Sequence, residues 1–491
     1  MQHEANAPKT DDGSVVHLEG LGLKDPAVYE DKIIQSSLHD AKSHRRLRHK
    51  IDRRLIPLCA WLYLLNYLDR SNIGNGKILN QETGDSLLQN LGMDGHKYSL
   101  VITLFALAYS AFDVPSNLIL KRYVRPSYWL GFLCFGWGAL TLGFAFLHSF
   151  AGAVVTRLFI GVFEAGFYPG IVYIITFWYR QEERSIRLAL VSASSSLAGA
   201  FGGCIAYGVG HMNRKGGLEG WRWLFVFEGI LTMLCTILLV FFLPNYPQDA
   251  KWLSADEKKF AVERIAEQDG GFSRERASRR EVMDTCFGPR MLTHYVTYFT
   301  NVAVVSSLVY FCPTIVAGLG FSSITAQLMT VIPWALGYVV SLIFAWSADH
   351  YNVRGWLIAA ASTICGIMFV VISVLPAHAY TARFACLIVA CCGCFPNTAP
   401  LTAWMTCNVP SSRTMALAAA MNNTVVGIAS IMAVWVWKPS EALRGFPTGN
   451  IVCATCSFAT AALAVGLRLL YGRMNRNAVL DSTGSNRVWA Y

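Results

Sequence analysis

"LIPLCAWLYLLNYLDRSNIGNGKI", residues Leu55 to Ile78, runs a long apolar stretch into an acid and a base. No charge occurs from Leu55 to Leu68, and Asp69 and Arg70 then stand side by side. If the run enters a bilayer, both lie deep inside it. Ionisable groups there cost about 2.5–3.5 kcal/mol each on insertion scales, so they mark transport paths or proton relays. Apolar stretches of spanning length recur along almost the whole chain, which is the transmembrane-helix signal. Hydrophobic residues make up 54% of the 491 and charged residues 15%, against roughly 25% charged in soluble domains. Mean hydropathy is +0.39. These features describe an all-α polytopic membrane protein. The N-terminal stretch is polar, with no apolar core flanked by a cleavage site, so no cleavable signal peptide is expected.

The hydropathy pattern predicts about twelve transmembrane helices. Lys and Arg set the orientation. Basic clusters occur in "HRRLRHKIDRR" before the first span, "KRYVR" (Lys121–Arg125), "RQEERSIR" (Arg180–Arg187), the central loop and the C-terminal tail (Arg473, Arg476). All fall on one face if every span crosses, which makes both termini cytoplasmic in a multi-pass plasma-membrane protein. The opposite loops are poor in Lys and Arg, with "HMNRKGG" (His211–Gly217) the main exception. The net charge of +10 therefore belongs to one membrane face and gives no reason to expect nucleic acid.

One long connection divides the spans six and six. The expected organisation is a cytoplasmic tail (1–54), a first six-helix half (55–243), a central loop (244–290), a second half (291–471) and a cytoplasmic tail (472–491). Within the loop, "SADE" (Ser254–Glu257) reads as a capping box, opening an amphipathic helix whose charges form a solvated face. A weak repeat links "NLILKRYVRPSYWL" (Asn117–Leu130) with "AWSADHYNVRGWL" (Ala345–Leu357), each a charged turn between spans. Two halves joined this way are the layout of the major facilitator fold, with substrate near mid-membrane between them.

More specific stretches are "KIDRRLIPL", "NYLDRSNIGN", "DVPSNLILKRYVRPSYWL", "RLFIGVFEAGFYPG", "GWRWLFVFEG" and "LPNYPQDAKWLSADE". In this order the chain resembles the anion:cation symporter family of the major facilitator superfamily, in its fungal branch of allantoate- and nicotinate-type permeases. The likeness runs from about Lys50 to Tyr471 and is strongest in the first half. Two positions depart from it: Asp113 replaces the expected glutamate before "PSN", and "MNNTVVGIAS" (Met421–Ser430) lacks the usual glycine spacing. The resemblance implies that Asp69 and Arg70, with Arg157 and Glu164 of the fourth span, serve substrate binding and proton coupling.

The residues themselves point the same way. Asp69 lies roughly 22 Å into its span at 1.5 Å per residue, and Arg157 and Glu164 lie about 10 Å apart on one face of theirs. A buried arginine stays charged and offers a planar fork that matches a carboxylate. A carboxylic acid exchanges its proton, burial favouring the neutral form and a nearby arginine the charged one. Arg70 and Arg157 are thus the expected anion receptors and Asp69 and Glu164 the proton carriers, with Asp69 restraining Arg70 until protonated. Purely structural ion pairs are the alternative.

Other candidates are Tyr67 and Tyr298, which would stack on a flat substrate, and Asn301 and Asn397, polar groups within apolar spans that need partners. Asp113 with Lys121, and Asp349 with Arg354, are expected as gate or structural charges. Glu228, two turns below Arg222, reads as structural. The fourteen cysteines are scattered through apolar spans as packing residues. No metal-ligand spacing or nucleophile elbow occurs, so no enzyme, cofactor or metal is expected. The predicted activity is proton-coupled import of a small organic anion by a monomer in the lipid bilayer. Proton-independent anion exchange and a non-transporting nutrient sensor are the alternatives.

Overall fold

A computed structural model of the protein describes residues 26–269, 278–351, 353–409 and 414–480. Residues 1–54 and 55–491 are separate compact units; the first contributes the start of helix Pro26–Ile78, and all else below concerns the second. Parts of both predicted tails and of the central loop lie outside the described residues.

Among the described residues there is no strand, and eleven helices are long and apolar enough to cross a membrane. They correspond to predicted spans two to twelve. The first span, the part of Pro26–Ile78 from Leu55 on, is not among the eleven. Asn66, Asp69, Arg70, Ser71, Asn72 and Asn75 lower its hydropathy, and all six are buried. Their polar surface faces protein, where partners are available, instead of lipid, where none are.

Two spans that sequence reading draws as continuous are broken. The fourth runs as Phe150–Ala165 and Phe167–Trp178. Pro169 has no N–H to give the Ala165 carbonyl, and a side chain at Gly166 would overlap the Ser116 hydroxyl of the second span. The tenth runs as Tyr380–Cys394, a 3-10 turn Phe395–Asn397, and Thr398–Cys407, with Pro396 in the turn. The breaks fall at corresponding places in the first and last six spans. Such discontinuities are tolerated in membranes where other protein groups satisfy the freed backbone.

Span two (Gly95–Arg122) packs on span four, and three (Pro126–Phe144) on six (Gly220–Phe242). Nine (Arg354–Val374) packs on twelve (Pro447–Leu480), and seven (Pro289–Ala317) on eleven (Met415–Val436). Five (Gln181–Gly210) on eight (Ser323–Tyr351), and two on eleven, join the two sets. Phe132, Leu234, Phe241, Val339 and Val374 remain exposed on the outside, as lipid-facing side chains do.

The predicted capping box is present: Ser254 and Glu257 exchange backbone-to-side-chain hydrogen bonds of 2.9 and 3.2 Å at the start of Ala255–Asp269. That helix departs from the expected solvated face at Arg264, which is buried. Arg264 donates to the Trp178 carbonyl at 2.9 Å and pairs with Glu183 at 3.3 Å, docking the helix on the basic end of spans four and five. At the opposite end, the basic exception "HMNRKGG" finds its counter-charge. Arg214 makes a fork of 2.9 and 3.0 Å to Asp85 in the loop after the first span. That contact holds the Asp85 carboxyl below its ordinary range.

Candidate functional site

The buried face of the first span carries its polar residues past spans two, three, four and six. Arg70 Nε donates to Glu164 Oε2 at 2.8 Å, and the Glu164 side chain is fully buried. The Arg70 guanidinium also lies 4.3 Å from the Tyr109 ring centre and 5.3 Å from that of Tyr67. The buried centre of the molecule therefore pairs Arg70 with the fourth span.

This corrects the expected Asp69–Arg70 partnership. Successive helix residues point in different directions. Asp69 faces away from Arg70 toward the Trp137 indole and the Thr141 hydroxyl of the third span. Arg157, which sequence reading placed on the same helix face as Glu164, makes no ion pair among the described residues. Its guanidinium sits 5.2 Å from the Phe144 ring centre and 5.6 Å from that of Phe225, and its Nε is unpartnered. Glu164 keeps one oxygen, Oε1, without a partner.

A cavity of about 220 Å³ lies beside this centre, reaching from Tyr67 to Ile186 and Trp346 toward the basic end. Its walls are mainly apolar and aromatic: Tyr67 on one side, Trp334 and Phe395 on the other. Trp334 and Phe395 stack at 4.4 Å. Sequence reading missed both. The available signals were the prolines beside them, Pro333 and Pro396, inside otherwise apolar spans.

The other candidates divide. Tyr67 lines the cavity and packs against Tyr63 at 5.0 Å. Tyr298 is buried beside Thr402, and Asn301 is buried with an unpartnered amide nitrogen. Neither reaches the cavity wall. Asn397 ties the tenth-span break to the ninth span, its amide donating to Ser362 Oγ at 3.0 Å and to the Gly393 carbonyl at 2.9 Å, while its Oδ1 is unpartnered. Asp113 accepts a 3.4 Å bond from Asn423 of the eleventh span. Arg354 contacts Cys407 at 3.6 Å. The side chains of Lys121 and Asp349 lie outside the described residues. Among the described residues no cluster of side chains is suited to hold a metal ion.

Away from the basic end the first and last six spans are shut against each other. A Cβ on Gly74 would stand 2.8 Å from the Tyr310 carbonyl oxygen, so only glycine allows this approach. Gln327 donates to the Asn75 carbonyl at 2.9 Å, and Tyr98 to that of Tyr310 at 3.3 Å. Lys77 lies 4.7 Å from the ring centres of both Tyr98 and Phe311. The cavity thus has a closed side and a side that runs toward the basic end, the arrangement of a carrier caught in one of two facing states.

Residues 59–434 match the Major Facilitator Superfamily. The chain belongs to that superfamily. It is 43% identical to MFS transporter prlL of Fungal sp. (strain NRRL 50135) over 97% of this chain and 95% of the relative. It is 31% identical to MFS-type transporter efuF of Hormonema carpetanum, over 78% of this chain and 75% of that one. Major facilitator-type transporter hxnP of Emericella nidulans is 28% identical over 88% and 87%. Among solved structures, a bacterial homolog of the human lysosomal transporter Spinster, inward-facing and unoccupied, superposes with TM-score 0.62 at 15% identity, covering 88% of this chain and 98% of that one. A D-xylose-proton symporter gives TM-score 0.62 at 14% identity, covering 83% and 96%. The protein is a multi-pass membrane transporter with the major facilitator fold, and nothing indicates a catalytic family.

Proposed function

We propose that this chain is a proton-coupled symporter that imports a small organic anion, a carboxylate such as nicotinate, allantoate or a vitamin acid, by alternating access. The observation that carries this reading is the buried Arg70–Glu164 pair at 2.8 Å, set beside an aromatic-walled cavity. With Glu164 ionised, Arg70 has its counter-ion and the empty site is stable. Protonation of Glu164 removes that counter-ion, and an incoming carboxylate becomes the favoured replacement. The restraining acid in this scheme is Glu164, not Asp69. Arg157, without a carboxylate partner, is the second cation available to the anion or to the acids around it. Tyr67, Trp334 and Phe395 would hold the apolar body of the substrate, preferring a flat one.

The bodies that rock are the two six-helix halves, 55–243 and 291–471, moving around the site as a monomer in the plasma membrane. The basic end is the cytoplasmic one. Uptake in cells lacking their own permeases tests the reading across a panel of radiolabelled carboxylates. Accumulation should be faster at external pH about 5 than at about 7.5, and a protonophore should abolish it. Uptake indifferent to both would replace symport by anion exchange; no uptake of any member would favour a sensor.

A further inference from the structure

The loop after the first span is braced by its own half. Asn80 takes a left-handed backbone with φ 55°, and its carbonyl accepts from the backbone N–H groups of Thr83 and Asp85, both at 3.2 Å. The Asn80 amide donates to the Gly210 carbonyl at 3.1 Å. Asn213 donates to Asp85 at 2.7 Å, beside the Arg214 fork to the same carboxylate. All of these partners belong to the first six spans and their loops. The turn Gln81–Thr83 that they brace carries an exposed glutamate, Glu82.

Glu82 reaches across to the other half. Its Oε1 accepts from the backbone N–H of Ser323 at 3.0 Å, and Ser323 opens the eighth span. The first N–H groups of a helix have no partner inside the helix. Here Ser322 Oγ accepts from the Thr325 N–H at 3.3 Å, and the Ser322 carbonyl accepts from that of Ala326 at 2.8 Å. Glu82 takes the Ser323 N–H, and its carboxylate meets the positive end of the helix dipole. One turn further along, Gln327 donates to the Asn75 carbonyl of the first span at 2.9 Å. A Cβ on Gly210 would stand 3.2 Å from Ile324. The start of the eighth span thus lies close against the first half, and Glu82 caps it from there.

A glutamate anchored in one half and a helix start carried by the other cannot stay joined when the halves part. We propose that Glu82 is the outer latch of the carrier: its carboxylate caps the eighth span while the side away from the basic end is shut, and that side opens by breaking the cap. The contact therefore favours the state that faces the basic end. On opening, a hydrogen bond to a charged acceptor and a dipole contact are exchanged for hydration. A cap of this kind weights a two-state equilibrium by roughly fivefold. The latch rests on the alternating-access part of the reading above, and on neither the anion nor the proton.

Hydrogen–deuterium exchange of the full-length protein in lipid nanodiscs, read by mass spectrometry, tests the latch in wild type, Glu82→Gln and Glu82→Ala. Glu82 is exposed, so both variants should fold. Alanine removes the acceptor: amides of residues 74–80 and 323–331, on the shut side, should exchange several-fold faster, and those of residues 186–196, along the cavity, should exchange more slowly. Glutamine keeps an acceptor without the charge and should fall between wild type and alanine. A cap that serves the eighth span alone would speed exchange at residues 323–326 and nowhere else. Faster exchange confined to those residues, or on both sides, or on neither, overturns the latch. Uptake indifferent to pH would sink the symport reading while leaving these opposite shifts in place, so the two failures are distinguishable.

Discussion

Between Leu55 and Leu243 the buried side chains include Asp69, Arg70, Asp113, Arg157, Glu164, Arg187, Arg222 and Glu228. Between Met291 and Tyr471 the comparable ones among the described residues are His294 and Arg383. The second region buries hydroxyls, amides and thiols instead. Thr300 meets Thr460 at 2.7 Å, Ser306 meets Ser430 at 3.0 Å, and Cys312, Cys365, Cys391, Cys394 and Cys453 are all buried free thiols. Neutral groups pack helices together at small cost, whereas buried charges are costly and persist where they act. The buried charges thus concentrate in the first six spans, while the last six contribute Trp334 and Phe395 to the cavity wall opposite Tyr67.

The largest expected effect is at Arg70. Arg70→Lys keeps the charge and loses the planar fork, so substrate affinity in competition assays should fall at least about tenfold, the equivalent of roughly 1.5–3 kcal/mol for a hydrogen bond to a charged group. Arg383→Lys is the matching change in the other region. Arg383 caps the turn at Gly445 through a 2.6 Å bond to its carbonyl, so the substitution should lower thermal stability and leave affinity alone. Equal losses of affinity at the two arginines would erase the contrast.

Next in size is the seam between the regions. Gly74→Val puts a branched side chain against the Tyr310 carbonyl, so the closed side should fail to shut. Initial uptake should drop several-fold, and a cysteine placed near Lys77 should become more accessible to a thiol reagent. Unchanged labelling would show that the approach of Gly74 to Tyr310 is not what closes that side.

A smaller effect is expected at Asn397. Asn397→Ala removes the amide from Ser362 and the Gly393 carbonyl and should cost about 1 kcal/mol of stability, read as a lower unfolding temperature in detergent. The pH dependence of uptake should not move. A shifted pH profile would bring charge coupling into the last six spans.

The smallest effect lies outside the spans. Arg214 lowers the proton affinity of Asp85 in the fold, so the pair's contribution is complete above the ordinary carboxylate value of about 3.9. It is lost as pH falls through the lower folded value. Arg214 is largely exposed, so Asp85→Asn should change stability by no more than about 1 kcal/mol. That difference should shrink in thermal scans taken at progressively lower pH. A difference constant with pH would mean that the fork adds no electrostatic stability.

The comparison also separates what sequence reading could reach. Spans two to twelve and the capping box at Ser254 are local patterns of hydropathy and spacing, and they stand where expected. The buried charges were legible as charges, since Asp69, Arg70, Arg157 and Glu164 interrupt apolar runs. Their pairing was not, because it depends on helix rotation: adjacent Asp69 and Arg70 face different spans, and Arg70 reaches a glutamate ninety-four positions away. The breaks at Gly166 and Phe395–Asn397 were signalled only by prolines that an apolar window absorbs. The Trp334–Phe395 wall joins two spans that hydropathy treats separately.

The most direct test of the account is substrate affinity of Glu164→Gln, measured by competition in membranes at pH about 5 and about 7.5. Wild type should bind more tightly at the lower pH, since protonated Glu164 releases Arg70. Glutamine keeps the shape but cannot ionise, so Arg70 is released at both values and the variant should bind equally tightly at each. If Glu164→Gln keeps the wild-type dependence on pH, the 2.8 Å pair is structural and the account is contradicted.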